Sequence, residues 1–475
     1  MSSTQEEADG GVLPMSSVGG RWVLATTILG SSIVLLTATV VNVALPAIGR
    51  EFAADAAGLQ WVINGYLLTL AALILTGGAL GDRLGRKRVY LIGVGVFAAA
   101  SLACAIAPSL ELLVAARIVQ GIGGALLTPG SLAIINSTIR RRDRGKAVGT
   151  WAGLTGVATA IGPVLGGWLV DAVDWRAIFL LNVPIGVAVY VVATLRLPSS
   201  GGDEADRPAD AAGAALATLT LGAVTYAVIQ TPERGLGDPL IVAAAVGGGI
   251  GALLFVFTEA RRSDPMVPFR IFRIRNFTAA NAVTIAVYGP LSGMFFLLNV
   301  YLQNALGYSP LEAGAATLPV TVLMVALSPA SGELAHRIGP RTQLTAGPLV
   351  IAAGLVLMAG IEPGDHYVPS VLLPVTLFGL GLSASVSPVT STALAALDSS
   401  RSGLASGVNN SVARTSQLLA VASLPPMAGL TGDAFTDIPT FVDRFPVAMV
   451  IAAGVAALGG IAGLVGIRGN VLDEG

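Results

Sequence analysis

The sequence predicts an all-α polytopic membrane protein of fourteen transmembrane helices, two six-helix bundles with a two-helix hairpin inserted between them. Three observations lead there. Of 475 residues, 54% are hydrophobic and only 12% are charged, about half the charged share of a soluble domain. Fourteen apolar stretches are each long enough to cross about 30 Å of hydrocarbon. A charged, glycine-bearing bend at Gly78–Lys87 begins again at Gly332.

The composition narrows the class further. With 59 glycines and 26 prolines in apolar surroundings, helices are the only spanning element that satisfies its own backbone in lipid. The net charge of -1 offers nothing to a nucleic acid. Cys104 is the single cysteine, so no disulfide or zinc framework exists, and it reads as a small core residue. The first twenty residues are polar and acidic (Glu6, Glu7, Asp9), unlike the basic start of a signal peptide. The first span is therefore expected to stay as a signal anchor.

In chain order the spans are expected near 22–48, 60–80, 89–107, 110–136, 146–170, 177–195, 211–230, 240–258, 277–302, 311–330, 343–360, 368–395, 403–430 and 445–467. An even number puts both termini on one side. Of the 27 basic residues, Arg50, Arg176, Arg234 and Arg444 fall on the far side and Arg117 and Arg414 within spans. All the others lie on the side of the termini, so the positive-inside rule makes that side cytoplasmic.

Two linkers interrupt the pattern. Residues 196–210 (Pro198, Ser199, Ser200, Gly201, Gly202, Asp203, Glu204, Asp206) read as a solvated tether. Residues 259–275 set Arg261, Arg262, Arg270, Arg273 and Arg275 among Met266, Val267, Phe269, Ile271 and Phe272, which suits an amphipathic stretch at the inner membrane surface. Between them lies a hairpin of two spans. The distance from Gly78 to Gly332 is too long for six spans and fits six plus that pair. The division is 1–21 as a tail, 22–195 as the first bundle, 196–275 as linkers with the hairpin, 276–467 as the second bundle and 468–475 as a tail.

The bend itself reads Gly78-Ala-Leu-Gly-Asp82-Arg83-Leu-Gly85-Arg86-Lys87. Gly332, Leu334, Arg337, Gly339 and Arg341 answer Gly78, Leu80, Arg83, Gly85 and Lys87, while His336 stands opposite Asp82. Glycine permits the tight turn and close helix approach, and the cations hold the turn in water.

At this point the chain resembles the major facilitator superfamily, in particular its fourteen-span drug/proton antiporter branch of multidrug efflux and antibiotic-resistance exporters. The resemblance runs from about Leu35 to the last span. The Gly78–Lys87 bend resembles the family's loop between spans 2 and 3. Thr39-Val-Val-Asn42-Val-Ala-Leu-Pro46 is similar to the first-span signature, and Gln60-Trp61-Val62 with Tyr66 to the second-span entry. Arg117-Ile-Val-Gln120-Gly121 resembles the fourth-span motif, and Gly162-Pro163 with Gly166-Gly167 the antiporter motif of span 5. Trp175-Arg176 with Phe179, Asn182 and Pro184 resembles the start of span 6. The resemblance implies a latch in which Asp82 closes the cytoplasmic side against a helix end of the other half, where the dipole favours an anion. With His336 in the second copy, that latch is one-sided.

Other residues carry physical readings of their own. In span 5, Gly149/Gly153 and Gly162/Gly166 let helices touch backbone to backbone, and Pro163 bends the helix. Arg117 is costly inside a span. It reads as a cavity charge or proton-relay partner, or as a structural arginine on backbone carbonyls, with Gln120 on its face. The cavity is expected to be lined by Thr37, Asn42, Trp61, Asn64, Tyr66, Gln120, Asn299, Tyr301 and Gln303, apolar and aromatic surfaces with a few amides and hydroxyls.

One departure bears on mechanism. The first-span signature usually carries an aspartate where this chain has Thr37, and none of the 28 acids falls near the middle of a span. Proton coupling needs a group that changes charge inside the membrane. The candidates are Glu312, Asp82 and Arg117, with Glu312 also readable as a helix cap after Ser309-Pro310.

The expected activity is alternating-access export of amphipathic small molecules, neutral or anionic rather than dicationic, exchanged for protons across a bacterial inner membrane. The expected partners are substrate, protons and membrane lipid, with a monomer as the working unit. No metal, nucleotide or other cofactor is implied, since no phosphate-cradling loop ends in Lys-Ser/Thr. A substrate-specific exporter and an uncoupled facilitator of a lipid or secondary metabolite are the alternatives. A membrane enzyme would need a catalytic cluster that His336, His366 and one cysteine do not supply.

Overall fold

The computed structural model describes residues 13–198, 211–262, 265, 267–397 and 402–468. The expectations for the acidic tail, for most of the first linker, for Met266 and for the carboxyl tail beyond 468 lie outside these. Fourteen long helices follow one another: α1 (Val18–Phe52), α2 (Ala56–Leu84), α3 (Arg86–Ala105), α4 (Leu110–Thr138), α5 (Arg141–Ala172), α6 (Ala177–Arg196), α7 (Ala211–Arg234), α8 (Pro239–Arg261), α9 (Arg275–Asn304), α10 (Pro310–Ile338), α11 (Pro340–Met358), α12 (Tyr367–Ala395), α13 (Ser402–Met427) and α14 (Ile438–Gly466). Every expected span is present. Several run longer than the apolar stretch that announced them. α5 starts at Arg141 and α14 at Ile438, because long cationic stems and interfacial residues continue a helix past the hydrocarbon. Thirteen are apolar enough by composition to cross a membrane. The fourteenth, α13, is diluted by Asn409, Asn410, Arg414 and Gln417.

The packing repeats itself eight helices later. α1 packs on α4, α5 and α6, α2 on α4, and α3 on α4 and α6. In the second set α9 packs on α12, α13 and α14, α10 on α12, and α11 on α12 and α14. The two sets meet along two seams, α2 with α13 and α5 with α10, and α1 touches α9 between them. Exchanging the sets turns one seam into the other, as a pseudo-two-fold requires.

The inserted hairpin breaks that symmetry. α7 lies on both α2 and α13, with Trp61 ring to ring against Tyr226 at 6.4 Å, so it covers one seam. The α5–α10 seam has no such cover.

Small residues allow the close crossings within each set. A side chain on Gly123 would fall 2.6 Å from the Phe97 backbone nitrogen, and one on Gly381 2.6 Å from that of Ile351. These positions pin α4 to α3 and α12 to α11, backbone against backbone.

Candidate functional site

The ends of the helices that share a side with the chain termini are called here the terminal end, and the others the distal end. At the terminal end the repeated bend has the same geometry twice. Gly85 joins α2 to α3 at φ 94°, and Gly339 joins α10 to α11 at φ 79°. Lys87 Nζ bonds the carbonyl oxygens of Thr194 and Leu197 at 2.9 and 2.6 Å. Arg341 Nε bonds that of Leu464 at 2.9 Å. Each cation therefore caps the last helix of its own set, α6 or α14, where carbonyls are left over. Gly78 leaves room beside Pro129, and a side chain at Gly332 would meet Ser387.

The latch expected of Asp82 belongs to the conformation closed at the terminal end, and here its carboxylate has a local partner. Its carboxylate pairs with Arg86 at 2.9 Å one turn away, and no bond from it to the other set is found among the described residues in this conformation. Arg337 pairs likewise with Glu333. Arg83 and His336 are exposed.

The first set holds a buried polar chain. Arg117 is 1% exposed. Its Nε donates to the Val62 carbonyl at 2.9 Å, its Nη1 to Gln120 Oε1 at 2.5 Å, and Gln120 Nε2 to Ser101 Oγ at 2.7 Å. The guanidinium lies 4.3 Å from the Tyr66 ring centre and 5.9 Å from that of Phe179. Tyr66 Oη donates in turn to the Val34 carbonyl at 3.1 Å. Of the two readings of Arg117, the structural one matches this geometry. The residue ties α2, α4 and α6 together, its charge met by ring faces and carbonyls instead of an anion.

Thr37, where the resemblance leads one to expect an aspartate, is 2% exposed. Its hydroxyl donates to the Ile33 carbonyl at 2.7 Å and accepts from Asn182 Nδ2 at 2.9 Å. Asn42 bonds back to the Ala38 carbonyl at 3.2 Å. Asn64 is fully buried, with no partner for either amide atom among the described residues.

The remaining expected lining residues divide. Trp61 stands against the hairpin, away from the centre. Tyr301 is buried in the second set, stacked on Phe445 at 4.1 Å with its hydroxyl on the Ile361 carbonyl at 2.6 Å. Asn299 bonds the Phe295 carbonyl at 2.8 Å. Gln303 crosses between the sets, Nε2 to the Val43 carbonyl at 2.9 Å. Close packing with local hydrogen bonds explains why most of these amides and rings are structural: an inward-facing residue of a span meets a neighbouring helix more often than a cavity. Glu312 is likewise engaged. It closes a capping box, accepting from Ser309 N at 2.8 Å and donating its own N–H to Ser309 Oγ at 3.2 Å.

Both seams are closed at the distal end. Distally, a side chain on Gly167 would lie 2.6 Å from Leu311 Cα, and one on Gly314 2.7 Å from the Pro163 carbonyl carbon. Asp171 Oδ2 accepts from Leu311 N at 2.8 Å. On the other seam Gln60 Nε2 bonds the carbonyls of Val421 and Ala422 at 2.8 and 3.1 Å. Gly166 packs inside its own set, where a Cβ would lie 2.7 Å from Val40, and Gly162 faces Thr39. Toward the terminal end, Gly145, Gly149, Gly153 and Gly156 face nothing within 4 Å. The expected packing at Gly149 and Gly153 is absent among the described residues in this conformation. The hairpin-covered seam stays closed further down, with Leu75 against Gly407.

Arg414 of α13 is half-buried and bonds Gln417 Oε1 at 2.9 Å. The sequence hint was the polarity of its helix: Asn409, one turn earlier, anchors α13 to Asn281 and Thr284 of α9 at 3.2 and 2.8 Å.

A family model described as Major Facilitator Superfamily matches residues 27–421. The multidrug resistance protein Stp of Mycobacterium tuberculosis is 36% identical over 386 residues, 81% of this chain and 71% of that protein. The tetracenomycin C resistance and export protein of Streptomyces glaucescens is 32% identical over 485 residues, 100% of this chain and 90% of its own length. The methylenomycin A resistance protein of Streptomyces coelicolor is 36% identical over 413 residues, 86% of each chain. Among solved structures, a peptide transporter POT in complex with sulfate superposes with a TM-score of 0.72, at 16% identity over 97% of both chains. At that identity the likeness speaks for the fold alone.

Proposed function

The chain belongs to the Major Facilitator Superfamily, and from that premise we propose that it is a secondary active exporter of small amphipathic molecules, working as a monomer by alternating access and driven by proton antiport. The observation that carries this reading is the contrast between a closed distal end and the α5 glycines that meet nothing within 4 Å toward the terminal end. The sets touch through Gly167, Gly314 and Gln60 at the distal end. Basic loops assign the terminal end to the cytoplasm of a bacterial inner membrane, so this conformation takes in substrate from inside. Rocking the sets about their pseudo-two-fold would close Gly149 and Gly153 against α10 and release it outside. Names that speak of resistance and export in the relatives support the outward direction.

The substrate class follows from charge. Arg414, half-buried on the seam helix α13, is read as the cation that faces substrate, and no acid sits near the middle of a span. Neutral and anionic amphipaths are therefore preferred over dications. For coupling, Glu312 is held in its capping box and an arginine stays charged at any physiological pH, which leaves Asp82. Its carboxylate is 47% exposed and can exchange Arg86 for a helix end of the other set once the terminal side closes. Protonation would weaken that closure.

The test is flux of a neutral, an anionic and a dicationic dye into liposomes holding the purified protein, with and without a pH gradient. Expected are gradient-driven transport of the first two, unchanged coupling in Glu312→Gln, and loss of coupling in Asp82→Asn. Flux of all three that ignores the gradient would replace antiport with uncoupled facilitation, a reading the acid-free mid-membrane layer favours. Preference for the dication would overturn the charge argument.

A further inference from the structure

Beside the covered seam lies a space that α5 and α10 do not line. It encloses about 580 Å³ and is bounded by α2, α7, α8, α9, α13 and α14, with the segment after α8 across its terminal end. Its walls are almost wholly apolar, among them Leu75, Phe255, Phe272, Val412 and Ile451. α8 packs on α7 and on no other helix to a comparable extent, so the space opens sideways between α8 and α14, into the lipid layer. Val408 to Met427 of α13 run along it, ~28 Å at 1.5 Å per residue, close to the depth of a bilayer core. Arg414 is not among its lining residues.

The segment at its terminal end is built in two stripes. Phe269–Arg273 is a 3₁₀ helix, in which residues three apart eclipse. Phe269 and Phe272 therefore share one side, and both line the groove, with Phe269 edge-on to Phe255 at 6.4 Å. Arg270 and Arg273 share the other; both are exposed and form no ion pair among the described residues. The neighbouring described charges have local partners. Arg261 sits 4.0 Å over the Phe257 ring, and Arg275 bonds the carbonyls of Val465 and Gly466. Glu259, 2% exposed, holds the segment by accepting from Val267 N at 2.8 Å. Thr220 and Ser411, on α7 and α13, also line the groove, and their hydroxyls have no partner among the described residues.

We propose that this groove binds one anionic phospholipid, its phosphate on Arg270 and Arg273 and an acyl chain along α13. An apolar trough open to the bilayer takes a chain, and a pair of exposed guanidinium groups on the segment that bounds it selects a negative headgroup. The bound lipid fills the space that the hairpin leaves beside the seam and so holds α7 and α8 to both sets.

Native mass spectrometry of the detergent-purified protein, titrated with phosphatidylglycerol or phosphatidylcholine, reads the proposal. Expected is one tightly held phosphatidylglycerol per chain and no equivalent phosphatidylcholine. Arg270→Ala and Arg273→Ala each weaken it roughly fivefold, Arg270→Lys with Arg273→Lys retains it, and Val412→Trp removes it by filling the trough. Arg21→Ala, a cation elsewhere at the terminal end, leaves it unchanged. A thermal melt of every variant separates lost binding from lost fold. Equal retention of both lipids would overturn the proposal, as would full binding in folded Val412→Trp. Displacement of the lipid by a transported dye, one for one, would make the groove part of the substrate path and equally overturn it.

Discussion

Gly314 is the position where a single methyl group tests whether the two sets move against each other. It lies on α10, with the Pro163 carbonyl of α5 directly over its Cα. A Cβ there would fall on that carbonyl oxygen and 2.7 Å from its carbon. Nothing flexible stands between, so Gly314→Ala must push α5 and α10 apart at the distal end. Overpacking of this kind costs about 1–3 kcal/mol. The seam joins separate sets, so the clash is relieved by adopting the distally open conformation. At 1.36 kcal/mol per decade, the balance between the two conformations shifts by roughly 5- to 150-fold. Spin labels in a Cys104→Ser background read the shift by double electron–electron resonance. One pair, Ile106 and Glu362, reports the distal end, and another, Arg83 and Arg337, the terminal end. The first distance should lengthen as the second shortens. Gly249→Ala, on α8 outside both sets and meeting nothing within 4 Å, should change neither. Wild-type distances in a folded Gly314→Ala protein would refute the reasoning.

Three further outcomes follow from the same geometry. Gly85→Ala and Gly339→Ala place a side chain at φ 94° and 79°, so each should cost about 1–3 kcal/mol, seen as a lowered melting temperature. Thr37→Asp puts a carboxylate within reach of the Asn182 amide that now bonds the Thr37 hydroxyl at 2.9 Å; flux of a cationic dye should appear and its dependence on the pH gradient steepen. Arg414→Gln should weaken binding of an anionic amphipath about 10- to 150-fold, the worth of a charge-assisted hydrogen bond at ~1.5–3 kcal/mol, while a neutral one binds as before in a fluorescence titration.

The helices were legible because lipid leaves a chain no other option, and hydrophobic runs mark them directly. The repeated bend was legible because glycine and cations are conspicuous between apolar runs, and both copies share the same turn. Side-chain direction was less legible. Thr37, Asn42, Asn64, Tyr66, Gln120, Asn299 and Tyr301 lie on faces that point into a set, and hydropathy does not distinguish an interior shared with another helix from a water-filled one. Arg117 and Arg414 show the difficulty together. Each is an arginine within a span followed three residues later by glutamine, and each bonds that glutamine. One is sealed by Tyr66 and Phe179, while the other stays partly open at the seam. Only the packing of neighbouring helices separates them.

Cross-linking the distal end tests the rocking of the sets most directly. Asp171 and Leu311 belong to different sets and touch through a 2.8 Å hydrogen bond. With cysteines at both positions in the Cys104→Ser background, a short thiol-specific linker would fasten the distal seam. Transport into liposomes should stop when the linker is in place and return fully on its reduction. Undiminished transport by the fastened protein would contradict alternating access through this seam.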